Sequence, residues 1–132
     1  MKKIVLVFIS LFFVTNTFGQ MGITEHLDTL KYKYPNGSVE TDTNCINFYV
    51  VESTYLDSYL VFTLDEYSYC VFSAVKPYNY DSYKEWIKTL NREWKKDNSK
   101  SWSFTRSDGL NFVCKLDKDY CGDKIFLFYT KD

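Results

Sequence analysis

Histidine, proline and glycine are scarce in this sequence. One histidine, two prolines and five glycines occur among its 132 residues. The glycines form no phosphate-binding loop, and neither the G-x-S-x-G turn of serine hydrolases nor the H-E-x-x-H motif of zinc proteases is present. A lone histidine would need carboxylates or cysteines at suitable spacing to build a metal site. The sequence therefore predicts no catalytic, metal or cofactor-binding residues, and no linker that would divide the chain into domains.

Positive charge is not in excess either. The chain has 16 lysines and arginines against 17 acidic residues, a formal net charge of −1. Proteins that bind nucleic acid need a concentrated basic surface for the phosphate backbone. A mildly acidic chain gives no electrostatic reason for such binding, and we expect no nucleic-acid partner.

The one long apolar run lies at the N-terminus. A basic segment, residues 1–3, precedes the uninterrupted apolar residues 4–14, and the small residues Thr17 and Gly19 follow them. This order is typical of a cleaved secretory signal peptide, here residues 1–19. A membrane-spanning helix needs about 20 apolar residues, so we predict no membrane span after cleavage. The product is expected to be exported to the periplasm or the extracellular space.

The remaining residues, 20–132, suffice for a single globular domain and are too few for two. Cleavage removes two lysines and no acidic residue, which leaves a net charge of −3. Aromatic residues are abundant, since 12 tyrosines, 11 phenylalanines and three tryptophans make up 20% of the sequence. Because each ring buries about 150–250 Å² on folding, a chain of this size can build a core.

Apolar spacing predicts two amphipathic helices. The first carries apolar side chains three or four residues apart from Ile23 to Tyr34, with Thr24 as its N-cap. The second begins at Asp81 and carries an apolar stripe from Tyr83 to Trp94, while its lysines lie elsewhere on the helix.

Segments rich in β-branched and aromatic residues predict six strands. They are residues 45–52, 58–65, 67–75, 101–106, 110–116 and 124–130. Short connections favour hairpins and a mainly antiparallel sheet. The order α-β-β-β-α-β-β-β therefore predicts an α+β fold, a two-layer sandwich in which both helices bury their apolar stripes on one face of the sheet.

The segment YSYCVFSAV, residues 67–75, poses a question about the faces of this sheet. An antiparallel strand with one wet face should alternate apolar and polar residues, but both alternations here are largely apolar. The face assigned to the helices comprises Leu60, Phe62, Leu64, Cys70, Phe72, Ala74, Trp102, Phe104, Leu110, Phe112 and Cys114. The opposite face carries Tyr59, Val61, Tyr69, Val71 and Val75, with either Ile125, Leu127 and Tyr129 or Phe126 and Phe128. Such a face curls to bury itself, dimerises or binds a partner.

Four cysteines in an exported chain favour disulfide formation. Cys70 and Cys114 are predicted to face inward from different strands, which favours a bridge between them and leaves Cys45 to pair with Cys121 near strand ends. The alternative is that Cys70 and Cys114 are free thiols, packed as small apolar side chains.

Two further features resemble functional sites only in part. The segment DKDYCGD matches the opening of a calcium loop at Asp117, Asp119 and Gly122, but it lacks the later ligands, so we interpret it as an acidic hairpin turn. His26 lies beside the apolar stripe of the first helix, and nothing in the sequence places it near a cysteine as the base of a nucleophile.

Two classes of function are compatible with these observations. The first is a non-catalytic binding or interaction module whose aromatic-rich surface contacts a protein partner or a second copy of the chain. Its candidate partner surface comprises Tyr59, Val61, Tyr69, Val71, Tyr78 and Tyr80, of which the last two lie in a predicted loop. The alternative is a small periplasmic hydrolase or thiol-redox protein, which a thiol of low pKa would favour.

Overall fold

The structure is a computed structural model that describes residues 21–51 and 56–131. The predicted signal peptide, residues 1–19, lies outside these ranges. None of the described helices is long and apolar enough to cross a membrane. The described elements are α1 (Leu27–Lys33), β1 (Ser38–Asp42), β2 (Cys45–Val50), β3 (Ser58–Leu64), β4 (Cys70–Pro77), α2 (Tyr80–Glu93), β5 (Lys95–Asn98), β6 (Ser101–Thr105), β7 (Asn111–Lys118) and β8 (Lys124–Lys131).

All eight of these strands belong to one sheet. Every neighbouring pair is antiparallel, and the strand order is β1-β2-β3-β4-β8-β7-β6-β5. Strands β1–β4 form one meander, β5–β8 form a second, and the pairing of β4 with β8 joins them. A helix precedes each meander. The structure therefore confirms a mixed α+β fold built mainly on an antiparallel sheet.

Two strands were missed by the sequence patterns. β1 and β5 contain no buried side chain, and their sequences, SVETD and KKDN, show no apolar alternation. Both lie at the edges of the sheet, where short strands with charged side chains resist pairing with another chain. The prediction of six strands is therefore wrong, because hydrogen bonding to a neighbour defines these two edge strands and apolar patterning does not.

The start of the first helix also differs from its prediction. The N-cap of α1 is His26, whose Nδ1 accepts a hydrogen bond from the backbone N–H of Asp28 at 3.1 Å. Thr24, the predicted cap, has a φ of 72° and lies in a turn before the helix. The apolar stripe that begins at Ile23 therefore includes turn residues as well as helical ones.

A β-bulge in β4 explains why YSYCVFSAV is apolar in both alternations. Leu64 of β3 is paired with Cys70, but the preceding Thr63 is paired with Phe72. Val71 is therefore an extra residue in β4. A bulge of this kind shifts the alternation of a strand by one residue, so side chains on either side of it with the same parity point to opposite faces.

The two faces of the sheet are defined by rows of directly paired residues. Phe62, Ser73 and Phe128 form a row on what we call the core face, and all three are buried. The next row, which contains Val61, Ala74 and Leu127, defines the outer face, where these side chains are half-buried.

The bulge corrects part of the face assignment made from the sequence. Cys70 is buried, but after the bulge it is Ser73 and Val75 that are buried on the core face. Phe72 and Ala74 lie on the outer face, opposite to their prediction, because the prediction assumed an unbroken alternation. Val75 was likewise assigned to the wrong face.

Aromatic rings make up much of the core. The largest fully buried rings are Trp86, Trp102, Phe48, Phe62, Phe112, Phe126 and Phe128. Tyr34, the C-cap of α1, stacks on Phe62 with centroids 5.5 Å apart, and Trp86 of α2 lies 5.8 Å from Phe126. Of the two alternatives for the last strand, Phe126 and Phe128 therefore form the inward set.

Candidate binding site

A pocket opens at one end of the sheet, where β3 begins, β4 ends and α2 begins. Its volume is about 460 Å³, within the range of about 300–1,000 Å³ that is typical of ligand sites. The side chains that define it are Tyr59, Tyr78, Tyr80 and Tyr83, with Lys76, Asp123 and Lys124 beside them. We call this site the tyrosine pocket.

Tyr59 and Tyr78 form the first wall of the tyrosine pocket. Tyr59 lies on β3 directly across from Lys76, and Tyr78 follows Pro77, the last residue of β4. The hydroxyl of Tyr78 donates a hydrogen bond to the carbonyl of Val51 at 2.6 Å. The two rings meet edge to face with centroids 4.5 Å apart, a favoured aromatic geometry. These contacts hold both rings in place.

The second wall is the first turn of α2. Residues three apart on a helix lie on the same side, and the rings of Tyr80 and Tyr83 stack with centroids 6.0 Å apart. Asn79 and Ser82 form a capping box that sets the start of this helix. α2 thus begins one residue before the predicted Asp81. Tyr80 is a helical residue and not the loop residue that the sequence predicted.

Charged groups lie beside the rings. Nζ of Lys76 is 2.9 Å from a carboxylate oxygen of Asp123 and 3.1 Å from one of Asp119. The hydrogen bonds to Asp123 and Asp119 raise the pKa of the Lys76 ammonium. Nζ of Lys124 lies 4.6 Å from the ring centroid of Tyr83, within cation–π range. The tyrosine pocket therefore combines apolar ring faces with charged groups at its rim.

The same ion pairs, together with backbone hydrogen bonds, stabilise the acidic segment 117–123. One oxygen of Asp119 accepts the backbone N–H groups of Cys121 and Asp123, each at 2.9 Å, and the other meets Lys76. The lysine ammonium thus engages Asp119, one of the two aspartates that match the opening of a calcium loop. Within the described ranges, no group of three or more potential metal ligands occurs.

The candidate partner surface divides into two groups. Tyr59, Tyr78 and Tyr80 meet at the tyrosine pocket and are 42%, 38% and 68% exposed. Tyr69 and Val71 are 48% and 47% exposed, but they lie at the other end of β4. The distance is about 20 Å at roughly 3.3 Å per strand residue, so one small ligand cannot contact both groups.

Val61, the sixth residue of that surface, lies between the two groups. It is half-buried on the outer face, as are its cross-strand neighbours Tyr49 and Ala74. The middle of the outer face is therefore partly shielded by the protein itself. The exposed residues of the candidate partner surface therefore lie toward the two ends of the sheet.

Tyr83 and the charged residues Lys76, Asp123 and Lys124 of the tyrosine pocket were not selected from the sequence. Tyr83 was assigned to the apolar stripe of the second helix, although its three-residue spacing from Tyr80 was a signal that both rings share one side of the helix. Lys124 begins β8 and lies about 40 residues after Tyr83 in the chain. No local pattern connects it with the tyrosines.

The sheet order decides the state of the cysteines. All four lie in the described part of the chain, and all four are free thiols. β8 separates the strand of Cys70 from that of Cys114, which places their Cα atoms about 10 Å or more apart, beyond the roughly 7 Å limit for a disulfide. Cys45 and Cys121 lie at opposite ends of the sheet. Neither predicted bridge is formed, and the alternative of free thiols applies.

The buried thiols are poor nucleophiles. Burial raises the pKa of the Cys70 thiol to about 12 and also raises that of Cys114. Cys70 donates a hydrogen bond to the carbonyl of Phe72 at 3.3 Å, and His26 packs edge to face on Tyr69 with centroids 5.0 Å apart. The Cys70 thiol and the His26 ring therefore contact other partners. They do not form the hydrogen-bonded pair that a Cys–His nucleophile requires.

No protein-family model, curated protein or solved structure matches this chain. Any proposal about function therefore rests on the geometry of the tyrosine pocket.

Proposed function

We propose that this protein is a non-catalytic binding module that takes an apolar anchor side chain of a protein partner into the tyrosine pocket. One observation carries the proposal. Three of the residues selected as a partner surface, Tyr59, Tyr78 and Tyr80, line a single pocket with Tyr83. Tyrosine is enriched in protein interfaces because its ring supplies rigid, amphipathic contact area.

The proposed architecture is a two-layer sandwich with both helices on the core face. Two contacts support it: Tyr34 at the end of α1 packs on Phe62, and Trp86 of α2 packs on Phe126. Helices on one face leave the outer face and the ends of the sheet available to partners. The tyrosine pocket lies at one of these ends.

The exposed rings have free energy to gain from a partner. Tyr80 is largely exposed and Tyr59 is partly so. At about 25 cal/mol per Å², covering about 100 Å² of ring surface contributes about 2.5 kcal/mol. Lys124 and Asp123 lie at the rim, where the edge of a protein interface is normally polar.

Export to the periplasm or the extracellular space is part of the proposal, and the signal-like residues 1–19 support it. We expect intact-mass analysis of the exported product to give a chain that starts near Gln20. Such a chain keeps Met21, which is buried and whose carbonyl accepts a hydrogen bond from the Ser73 hydroxyl at 2.9 Å. Retention of residues 4–14 in the product would contradict cleavage.

The alternative class, a small periplasmic hydrolase or thiol-redox protein, has less support. Cys70 and Cys114 are buried, and their raised pKa values oppose nucleophilic attack. The described residues that line the tyrosine pocket include neither cysteine nor histidine.

Selection from a phage-displayed library of random peptides tests the binding proposal. We expect the protein to enrich peptides that share an aromatic or aliphatic anchor. Tyr59→Ala and Tyr80→Ala should each weaken binding of a selected synthetic peptide by about tenfold, since anchoring aromatic residues dominate interface energetics. Tyr120→Ala is the matched control, because Tyr120 is fully exposed in the turn before β8 and should leave the affinity unchanged.

Failure to enrich any peptide, or equal binding by the Tyr80→Ala and Tyr120→Ala variants, would argue against the tyrosine pocket as the site. Light scattering over a concentration series identifies the other occupant. A dimer that is lost on Tyr80→Ala would assign the pocket to a second copy of the chain.

A further inference from the structure

The outer face carries a second feature on strands β5–β8, at the end of β8 away from the tyrosine pocket. Strand pairing aligns one row of outer-face residues, Lys95, Ser103, Val113 and Tyr129. Lys115 and Lys131 follow two residues after Val113 and Tyr129, and side chains two residues apart on a strand share a face. We call Lys95, Lys115 and Lys131 the lysine cluster.

The lysine cluster surrounds a concave part of the outer face. The cavity has a volume of about 530 Å³, and Ser101, Ser103 and Tyr129 contribute to its lining. Asp97 is the one acidic residue among the described lining residues. Neither serine hydroxyl has a hydrogen-bond partner among the described residues. Both hydroxyls can therefore donate to a ligand.

The lysine cluster leaves this concavity with an excess of positive charge, since three lysines and one aspartate line it. Within residues 21–51 and 56–131, none of its three lysines forms an ion pair, whereas Lys33 and Lys76 do. Strand register and spacing place the three Cα atoms roughly 12–16 Å apart, a distance that long, flexible lysine side chains can bridge with a ligand between them. Because like charges repel and a shared anion relieves the repulsion, this concave surface favours an anionic group.

Apolar surface continues from the lysine cluster across the outer face. Tyr129 stacks on Phe72 with centroids 6.4 Å apart and an interplanar angle of 14°. Leu127 lies two residues before Tyr129 on the same face. All three side chains are half-buried. A ligand held by the lysine cluster therefore meets an apolar floor beside its charge.

We propose that this concavity binds a single amphipathic anion. Its oxyanion group lies between the lysine ammonium groups and the serine hydroxyls, and its apolar part lies on Val113, Tyr129 and Leu127. A concave site fits a single amphipathic molecule better than it fits the flat surface of a lipid bilayer. This site is separate from the tyrosine pocket, so its failure would leave the proposed function untouched.

Isothermal titration calorimetry with mono-octyl phosphate, below its micelle-forming concentration and at low salt, tests the proposal. We expect one saturable site. Inorganic phosphate, which lacks the apolar part, and octyl glucoside, which lacks the charge, should each bind at least about tenfold more weakly. Lys115→Gln should weaken octyl phosphate binding about tenfold, because it removes a charge-assisted hydrogen bond. Lys88→Gln, on the exposed surface of α2, is the matched control and should bind as the original chain does.

Three results would overturn the proposal. The first is no binding of octyl phosphate up to millimolar concentration. The second is equal affinity of the Lys115→Gln and Lys88→Gln variants, with thermal unfolding confirming that both are folded. The third is sedimentation with phosphatidylglycerol vesicles in the absence of binding to monomeric octyl phosphate, which would assign the lysines to a lipid surface.

Discussion

Replacing Gly22 with alanine should lower the free energy of unfolding by about 3 kcal/mol or more. Gly22 has a φ of +79°, and a Cβ there would lie 2.5 Å and 2.7 Å from two ring atoms of Phe62. The left-handed backbone conformation costs a non-glycine residue about 1–2 kcal/mol. Displacing a fully buried ring adds about 1–3 kcal/mol, as overpacking of a core does. Urea denaturation followed by tryptophan fluorescence measures the sum.

Gly109→Ala is the control that separates these two contributions. Gly109 has a φ of +91°, but a Cβ there would have no atom within 4 Å. We expect Gly109→Ala to lower the free energy of unfolding only by the cost of the left-handed backbone conformation, about 1–2 kcal/mol. Equal destabilisation by both substitutions would mean that the Phe62 ring does not pack against Gly22.

Alkylation of the native protein should separate the four cysteines into two groups with different labelling rates. Iodoacetamide at pH 8 is expected to label the exposed Cys45 and Cys121 at ordinary rates, and to label Cys70 and Cys114 at least about a hundredfold more slowly. The thiolate is the reactive form, and a thiol whose pKa is raised to about 12 is almost wholly protonated at pH 8. Burial of both slow thiols, at 1% and 0% exposure, also blocks the reagent.

Peptide mapping by mass spectrometry gives the rate at each cysteine. Labelling in guanidinium chloride is the control, because unfolding exposes all four thiols and should equalise their rates. A disulfide between Cys70 and Cys114 in the native protein would contradict the sheet order, since β8 lies between their strands.

The candidate site was predictable only in part. Tyr59 was selected because strand alternation places it on the face opposite the helices, and Tyr78 and Tyr80 because they lie in a predicted loop. The spacing of Tyr80 and Tyr83 indicates that they share one side of a helix, but the convergence of these rings with Tyr59 and Lys124 was not predictable. These residues come from β3, the end of β4, α2 and β8, and only the packing of α2 against the sheet brings them together.

The sequence by itself determined the α+β class, the mainly antiparallel sheet and the second helix to within one residue of its start. Local periodicity and turn residues are sufficient for these features, because each depends on neighbours a few residues away. The tertiary structure alone decided the bulge at Val71, the charged edge strands β1 and β5, and the position of β8 between β4 and β7. The pairing of β4 with β8 joins strands that are distant in sequence. The bulge and the edge strands lie in hairpins, but backbone hydrogen bonds between neighbouring strands define them and apolar patterning does not. One shifted pair moves every later side chain to the other face.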